Sequence, residues 1–215
     1  MSTADNTVVA ADGRVIGERA LATRRRLLDA TEALLERDGV RDLKVVDITR
    51  EVGSAPATFY QYFADIDAAI LALADEAAQE AKELLDTLTP VWSATADIDR
   101  ARAFLDAYES HWRARHAALR ISNLRADEGD ERFRKARVKA YLVLLDRMID
   151  IVTAAQQAGR IDKQLDAYTI AVSTQAMLER LMSYETSPRI QHARQRLDMD
   201  TVARQLFQSL TGHPA

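Results

Sequence analysis

The residues best equipped for chemistry lie in the stretch Val45-Val46-Asp47-Ile48-Thr49-Arg50-Glu51-Val52-Gly53-Ser54-Ala55-Pro56-Ala57-Thr58-Phe59-Tyr60-Gln61-Tyr62-Phe63. Thr58, Tyr60, Gln61 and Tyr62 crowd hydroxyls, a carboxamide and aromatic rings together. A carboxamide carries the donor and acceptor pair that reads an adenine edge, and phenolic hydroxyls suit phosphate oxygens. Such groups are useful only when something holds them outward. Val45, Ile48 and Val52 recur at helical spacing and so share one face of a short helix. Gly53 follows, and glycine tolerates the left-handed backbone that ends a helix in a sharp turn. Ser54 is placed to cap the next helix, and Pro56 falls in its first turn, where a missing N–H costs little. Phe59 and Phe63, one turn apart, share that helix's buried face and leave the polar tips elsewhere. This is the layout of a helix-turn-helix whose second helix enters a major groove.

The stretch Val52 to Phe63 resembles the recognition region of the TetR/AcrR family of bacterial transcriptional regulators, with Thr58-Phe59-Tyr60-x-Tyr62-Phe63 its most specific part. Upstream, Leu27-Leu28-Asp29-Ala30, Leu34-Leu35, Gly39 and Val45-x-Asp47-Ile48 fall at the spacings of that family's first two helices, so the resemblance covers about residues 24–75. It implies DNA contact from Ser54, Pro56, Ala57, Thr58, Tyr60, Gln61 and Tyr62, with Phe59 and Phe63 in the core. Two positions depart from the family's pattern. Ile66 stands where a lysine usually opens the fourth helix and meets phosphate, and Lys44 stands where a threonine or serine usually precedes the second. Lysine cannot cap a helix N-terminus, but its ammonium can supply the missing phosphate contact. Lys44 therefore joins the expected DNA-binding residues.

Composition bounds the rest. The 215 residues suffice for one large domain or two small ones with real cores, and 47% hydrophobic with 29% charged residues is ordinary for a soluble globular chain. There is no cysteine, which excludes disulfides, thiolate metal sites and cysteine nucleophiles and fits a reducing cytoplasm. No apolar run is long enough to cross a bilayer, and Met1 to Ala11 lacks a secretion signal's pattern. Four prolines and seven glycines, with long stretches free of both, point to an all-α fold. The net charge of −4 is not that of a typical DNA-binding domain, but Arg24, Arg25 and Arg26 concentrate positive charge just before the helix-turn-helix.

In chain order, residues 1–17 read as a disordered tail, with Arg14 and Arg19 able to serve a minor-groove arm. Residues 18–64 read as a three-helix DNA-binding domain and 65–215 as a larger helical ligand-binding and dimerisation domain. Helix one is expected over Glu18 to Asp38, and the three helices can enclose Leu27, Leu34, Ile48, Val52, Phe59 and Phe63. Asp65 caps a fourth helix expected to end at Pro90. Further helices are expected over Asp97 to His116, Leu119 to Asp127, Glu131 to Ala158, Asp166 to Glu185 and Asp198 to Leu210, with Pro188 between the last two. Those last two helices suit a four-helix dimer interface, an arrangement the resemblance also implies.

Phe104, Tyr108, Trp112, Tyr141, Met148 and Met177 either line a ligand cavity or form ordinary core. The resemblance implies a pocket for a small-molecule, largely apolar effector in this half. No Glu-x-x-His pair, phosphate-binding loop or Gly-x-Ser-x-Gly elbow is present, and Asp127-Glu128-Gly129-Asp130-Glu131 lacks calcium-loop spacing and reads as a solvated turn. The expectation is a cytoplasmic, homodimeric, ligand-responsive regulator without catalytic residues, metal or cofactor. It binds a pseudo-palindromic operator in double-stranded DNA as a repressor and is no membrane protein. The rival is a helical carrier or enzyme that keeps the helix-turn-helix as scaffold only.

Overall fold

The computed structural model describes residues 17–88, 92, 94–185 and 197–214. Every regular element among them is helical. These are α1 (Glu18–Asp38), α2 (Val45–Glu51), α3 (Pro56–Tyr60), α4 (Ile66–Glu80), α5 (Ile98–Asp127), α6 (Glu131–Gln157), α7 (Ala167–Glu185) and α8 (Met199–Thr211). The tail expected over 1–17 lies outside the described residues apart from Gly17, as do Arg14, Pro90 and Pro188.

Local chemistry explains most of the ends. α1 stops where Gly39 turns to φ 76° and its N–H bonds the Leu35 carbonyl. Asp65 Oδ1 accepts from the Ala68 N–H at 2.6 Å, the expected cap of α4. Asp166 accepts from both the N–H and the hydroxyl of Thr169 at the start of α7. Asp198 accepts from the Asp200 N–H and the Thr201 hydroxyl at the start of α8.

Two boundaries differ from expectation. The segments expected to break between His116 and Leu119 form one continuous helix, α5, of 30 residues. Nothing there breaks a helix: Ala117 and Ala118 are good helix formers and are buried. The real interruption comes at Gly129, at φ 102°. The fourth helix is α-helical only to Glu80 and continues as a 3₁₀ helix over Ala81–Leu88 that keeps Ala81, Leu84 and Leu88 buried.

The described chain divides into two compact units. One takes the residues up to Glu76 together with Ala117–Arg134, the other Ala77–His116 with Lys135 onward. In the first, Leu27, Leu34, Ile48, Phe59 and Phe63 are buried and Val52 packs against them, as their spacing requires. That core does not close with three helices. Ile70 and Leu73 of α4, Ile121 and Ala126 of α5, and Phe133 of α6 complete it.

In the second unit an aromatic chain runs through the interior. Phe207 of α8 lies 6.2 Å from Trp92, Trp92 lies 6.4 Å from Phe104 of α5, and Phe104 lies 5.7 Å from Tyr108, all between ring centroids. Tyr141 of α6 donates its hydroxyl to the Val172 carbonyl of α7 at 2.9 Å. Gly212 ends α8 in the left-handed conformation, φ 68°, where a Cβ would come within 2.5 Å of the Arg160 carbonyl oxygen. Arg160 Nε donates to the Thr211 carbonyl, tying the end of α8 to the chain beyond α6.

Candidate nucleic-acid interface

The reading elements are built from the inside out. Phe59 and Phe63 are buried with centroids 5.4 Å apart, and they anchor α3 on its inner side. Phe59 also meets Tyr60 edge-on at 5.8 Å, so the Tyr60 ring is braced while the residue stays 54% exposed. Pro56, Ala57 and Gln61 are exposed beside it, and Ser54 and Thr58 are half-buried. Tyr62 differs: it is half-buried and packs against the core of this unit. The outward set around α3 is thus Pro56, Ala57, Tyr60 and Gln61, with Thr58 at its margin.

The turn before α3 corrects one expectation. Gly53 has φ 65°, and the Ser54 N–H reaches back to the Thr49 carbonyl at 2.9 Å. Ser54 does not cap α3. The capping position is Ala55, without a side-chain hydrogen bond, and the buried Ser54 Oγ has no partner. The helix tolerates this because Pro56 at its start brings no N–H of its own to satisfy.

The arginines of the α1 cluster are each bonded within this unit, Arg24 and Arg25 half-buried and Arg26 exposed. Arg26 Nη2 donates to the Val52 carbonyl at 2.6 Å, fastening α1 to the end of α2 just before the turn. Arg25 bridges Glu76 at 2.5 Å and Asp29 at 2.8 Å. Arg24 lies over the Phe63 ring at 5.2 Å and pairs with Glu76 at 3.6 Å. These three cations brace the reading unit more than they coat its surface. Lys44 is the opposite case: it is exposed, in extended backbone (φ −123°, ψ 150°) immediately before α2, and caps nothing. Ile66, where the resemblance leads one to expect a lysine, is partly buried against the core at the start of α4. An ammonium there would lose that packing.

The start of α4 is held by a cluster in the segment that sequence alone reads as a solvated turn. Arg132 pairs with Asp130 at 2.8 Å, Asp65 at 3.6 Å and Asp67 at 3.9 Å. Arg125 pairs with Asp67 at 3.3 Å and Glu128 at 3.1 Å. The Arg132 side-chain hydrogen bond, followed by its backbone N–H, holds the Asp130 carboxyl down to about 2. The only sequence signal is the alternation of acids and arginines around Gly129.

In the second unit, Phe104 and Met148 are fully buried, Tyr108 and Trp112 nearly so, and Tyr141 and Met177 half-buried. None of the six lines the recess of about 520 Å³ bounded by Arg160, Ile161, Leu165, Thr169 and Gln208. Gln175, not anticipated from sequence, donates Nε2 to the Tyr141 carbonyl at 3.1 Å. Among the described residues no group of three or more His, Cys, Asp or Glu side chains is placed to hold a metal ion. No helix among them is long and apolar enough to cross a membrane.

A helix-turn-helix with an outward polar-aromatic second helix, followed by a helical unit, defines a DNA-binding regulator by class. Family models agree. Residues 27–73 match the model described as bacterial regulatory proteins, tetR family, and residues 82–214 match tetracyclin repressor-like, C-terminal domain. The chain belongs to the tetR family of bacterial regulatory proteins and is a regulator, not an enzyme. No curated protein matches it by sequence. Among solved structures, Salmonella enterica GusR matches with TM-score 0.66 at 18% identity, over 93% of this chain and 100% of its own. A protein of unknown function from Rhodococcus sp. RHA1 matches with TM-score 0.63 at 26% identity, over 87% of this chain and 95% of its own. FadR from Bacillus subtilis, solved in complex with stearoyl-CoA, matches with TM-score 0.63 at 17% identity, over 88% and 98%. At 18% and 17% identity, the likenesses to GusR and FadR are likenesses of fold.

Proposed function

We propose that this chain is a cytoplasmic repressor that binds a pseudo-palindromic operator as a homodimer and is released by a small, largely apolar effector. The observation that carries the DNA half is the exposed set Ala57, Tyr60 and Gln61, braced from behind by buried Phe59 and Phe63. In this reading Gln61 reads an adenine edge, Ala57 and Thr58 approach base methyls, and Pro56 and Tyr60 meet the backbone, with half-buried Tyr62 at the edge of the contact and the Ser54 hydroxyl, which is buried, outside it. Lys44 supplies the phosphate contact that Ile66 cannot. Residues 18–64 carry the DNA contacts; 65–215 carry the effector site, with Phe104, Tyr108, Trp112, Tyr141, Met148 and Met177 in or near it, and the twofold interface on α7 and α8. The two α3 helices then address half-sites about 34 Å apart on one side of the duplex. Effector binding favours a dimer shape with the wrong spacing, which requires different affinities for the two shapes.

Selection of bound sequences from a random DNA pool tests this directly. The expected product is an inverted repeat with adenine at the Gln61 position, bound with an affinity that falls as salt rises. In Gln61→Ala the preference for that base should relax by about 1–3 kcal/mol while other positions hold. Recovery of no sequence, or retention indifferent to salt, would leave the helix-turn-helix as scaffold and favour a carrier.

A further inference from the structure

α3 is too short to hold its own place. It has five residues, and helices so short are unstable in isolation and take their stability from packing. Its start has no side-chain cap: Ala55 stands at the capping position, and the Ser54 hydroxyl is buried without a partner. Phe59 and Phe63 anchor its far end in the core. The near end hangs on the turn. There the Gly53 N–H bonds the Arg50 carbonyl at 3.1 Å and the Ser54 N–H bonds the Thr49 carbonyl at 2.9 Å. Both bonds stay between α2 and the turn itself. The bond from Arg26 Nη2 to the Val52 carbonyl, 2.6 Å, is of another kind, because it reaches the turn from α1. Leu27 and Leu28, next to Arg26, are fully buried, so the base of that side chain is fixed.

Arg26 also differs from its neighbours in what it bonds. Arg24 pairs with Glu76, and Arg25 with Glu76 and Asp29, so carboxylates hold both. Arg26 spends its bond on a neutral carbonyl at the end of α2, where helical carbonyls lack a partner within the helix. Its side chain is exposed, so water takes over the carbonyl when the guanidinium is removed, and little stability is lost. What is lost is the tie between α1 and the turn.

We infer that Arg26 is a positioning residue for α3: through the Val52 carbonyl it sets the turn, and through the turn the angle at which Tyr60 and Gln61 meet a base edge. Its work is done on the protein and needs no contact with DNA. Base discrimination is the property that depends on it, because a bidentate contact tells bases apart only while its donor and acceptor are held within about 0.5 Å of the right place. Attraction to the phosphate backbone tolerates a looser helix. The inference rests on reading the first unit as DNA-binding, and it takes one arginine of the α1 cluster out of the set expected to meet phosphate.

The test uses full-length protein, the operator recovered by selection, and random-sequence DNA of the same length. In Arg26→Gln, with Arg26→Met as a second variant, operator affinity should fall about fivefold while affinity for random DNA changes by less than about twofold. The salt slope on the operator should stay as in wild type. An equal loss on both DNAs, with the slope lower by about one, would make Arg26 a phosphate contact and overturn the assignment. So would a lower thermal midpoint with operator preference intact in the folded fraction, the mark of a bond that only stabilises. Hydrogen exchange without DNA keeps the two readings apart. The hydrogen-bonded amides of Ser54, Thr58 and Tyr62 should exchange about fivefold faster in both variants, with the amide of Leu34 in α1 unchanged. Unchanged exchange at those three amides overturns the inference even where DNA binding is normal. Faster exchange in a protein whose wild type binds no DNA sinks the DNA reading and the reading role of Arg26 with it, and leaves only its hold on α3.

Discussion

The two units use polar groups in opposite ways. Around α3 an apolar pair, Phe59 and Phe63, faces inward, while the polar groups of Tyr60 and Gln61 face solvent beside exposed Ala57. Around α7 the apolar surface encloses the polar groups: Gln175 is buried with a bare carbonyl oxygen, and Tyr108 is nearly buried. An outward group costs little to keep unpaired, because water satisfies it until DNA arrives. An inward one carries the full penalty of desolvation until a partner fills the place. The first arrangement leaves its polar groups open to a partner arriving from solvent; the second commits Gln175 and Tyr141 to the packing of α7 on α6.

The sharpest way to break this contrast is to exchange its layers. Phe59→Ala empties a fully buried site and should cost about 3–5 kcal/mol, read as an earlier denaturation midpoint and loss of DNA binding. Tyr60→Ala, one residue on, should leave the midpoint unchanged while weakening DNA binding. Equal destabilisation by both would mean that α3 is not divided into an anchoring and a reading face.

Gly212→Ala is the counterpart in the second unit. The left-handed backbone alone costs an alanine about 1–2 kcal/mol, and the Arg160 carbonyl lies where the Cβ must go. Thermal denaturation should show that loss or more, with the DNA affinity of the still-folded fraction unchanged.

Lys44→Ala should barely touch stability, since the side chain is exposed and caps nothing. It should weaken operator binding uniformly across sequences and lower the salt slope by about one. An unchanged slope would show that Lys44 does not replace the lysine missing at Ile66.

The smallest effect is expected in acid. Asp130 titrates at about 2 in the folded chain, below the ordinary carboxylate range, chiefly through its hydrogen bond from Arg132. A depressed folded value means that its contribution is complete above the unfolded pKa of about 4 and is lost as pH falls towards 2. The thermal midpoint of Asp130→Asn should therefore fall less steeply than wild type across that window. Because the group is only half-buried and water still screens the pair, the difference should be small.

Much of the reading unit is legible in the sequence. The bounds Glu18–Asp38 of α1, the turn at Gly53, the cap at Asp65 and the buried pair Phe59 and Phe63 all follow from residues within a few positions of each other. Periodicity and capping are local signals. The departures are of other kinds. Ser54, a residue type suited to capping, sits one position too early to cap α3, and two alanines continue α5 where a break is expected. The arginine trio of α1 is engaged at long range: Arg24 and Arg25, half-buried, pair with Glu76, some fifty residues away, and Arg26, still exposed, bonds the Val52 carbonyl.

By itself, then, the chain's order of residues determined its helical class, the helix-turn-helix and the inward pair Phe59 and Phe63, but not which polar side chains around α3 stay wet, since Tyr62 packs on the core. Periodicity decides those, and a helix needs only its own neighbours to express it. Tertiary structure alone decided that α5 and α6 help close the first core, that arginines around Gly129 clamp the start of α4, and that Gln175 is left with an unmet acceptor. Each of these joins residues far apart in sequence. Which donor finds which acceptor depends on packing that no local pattern encodes.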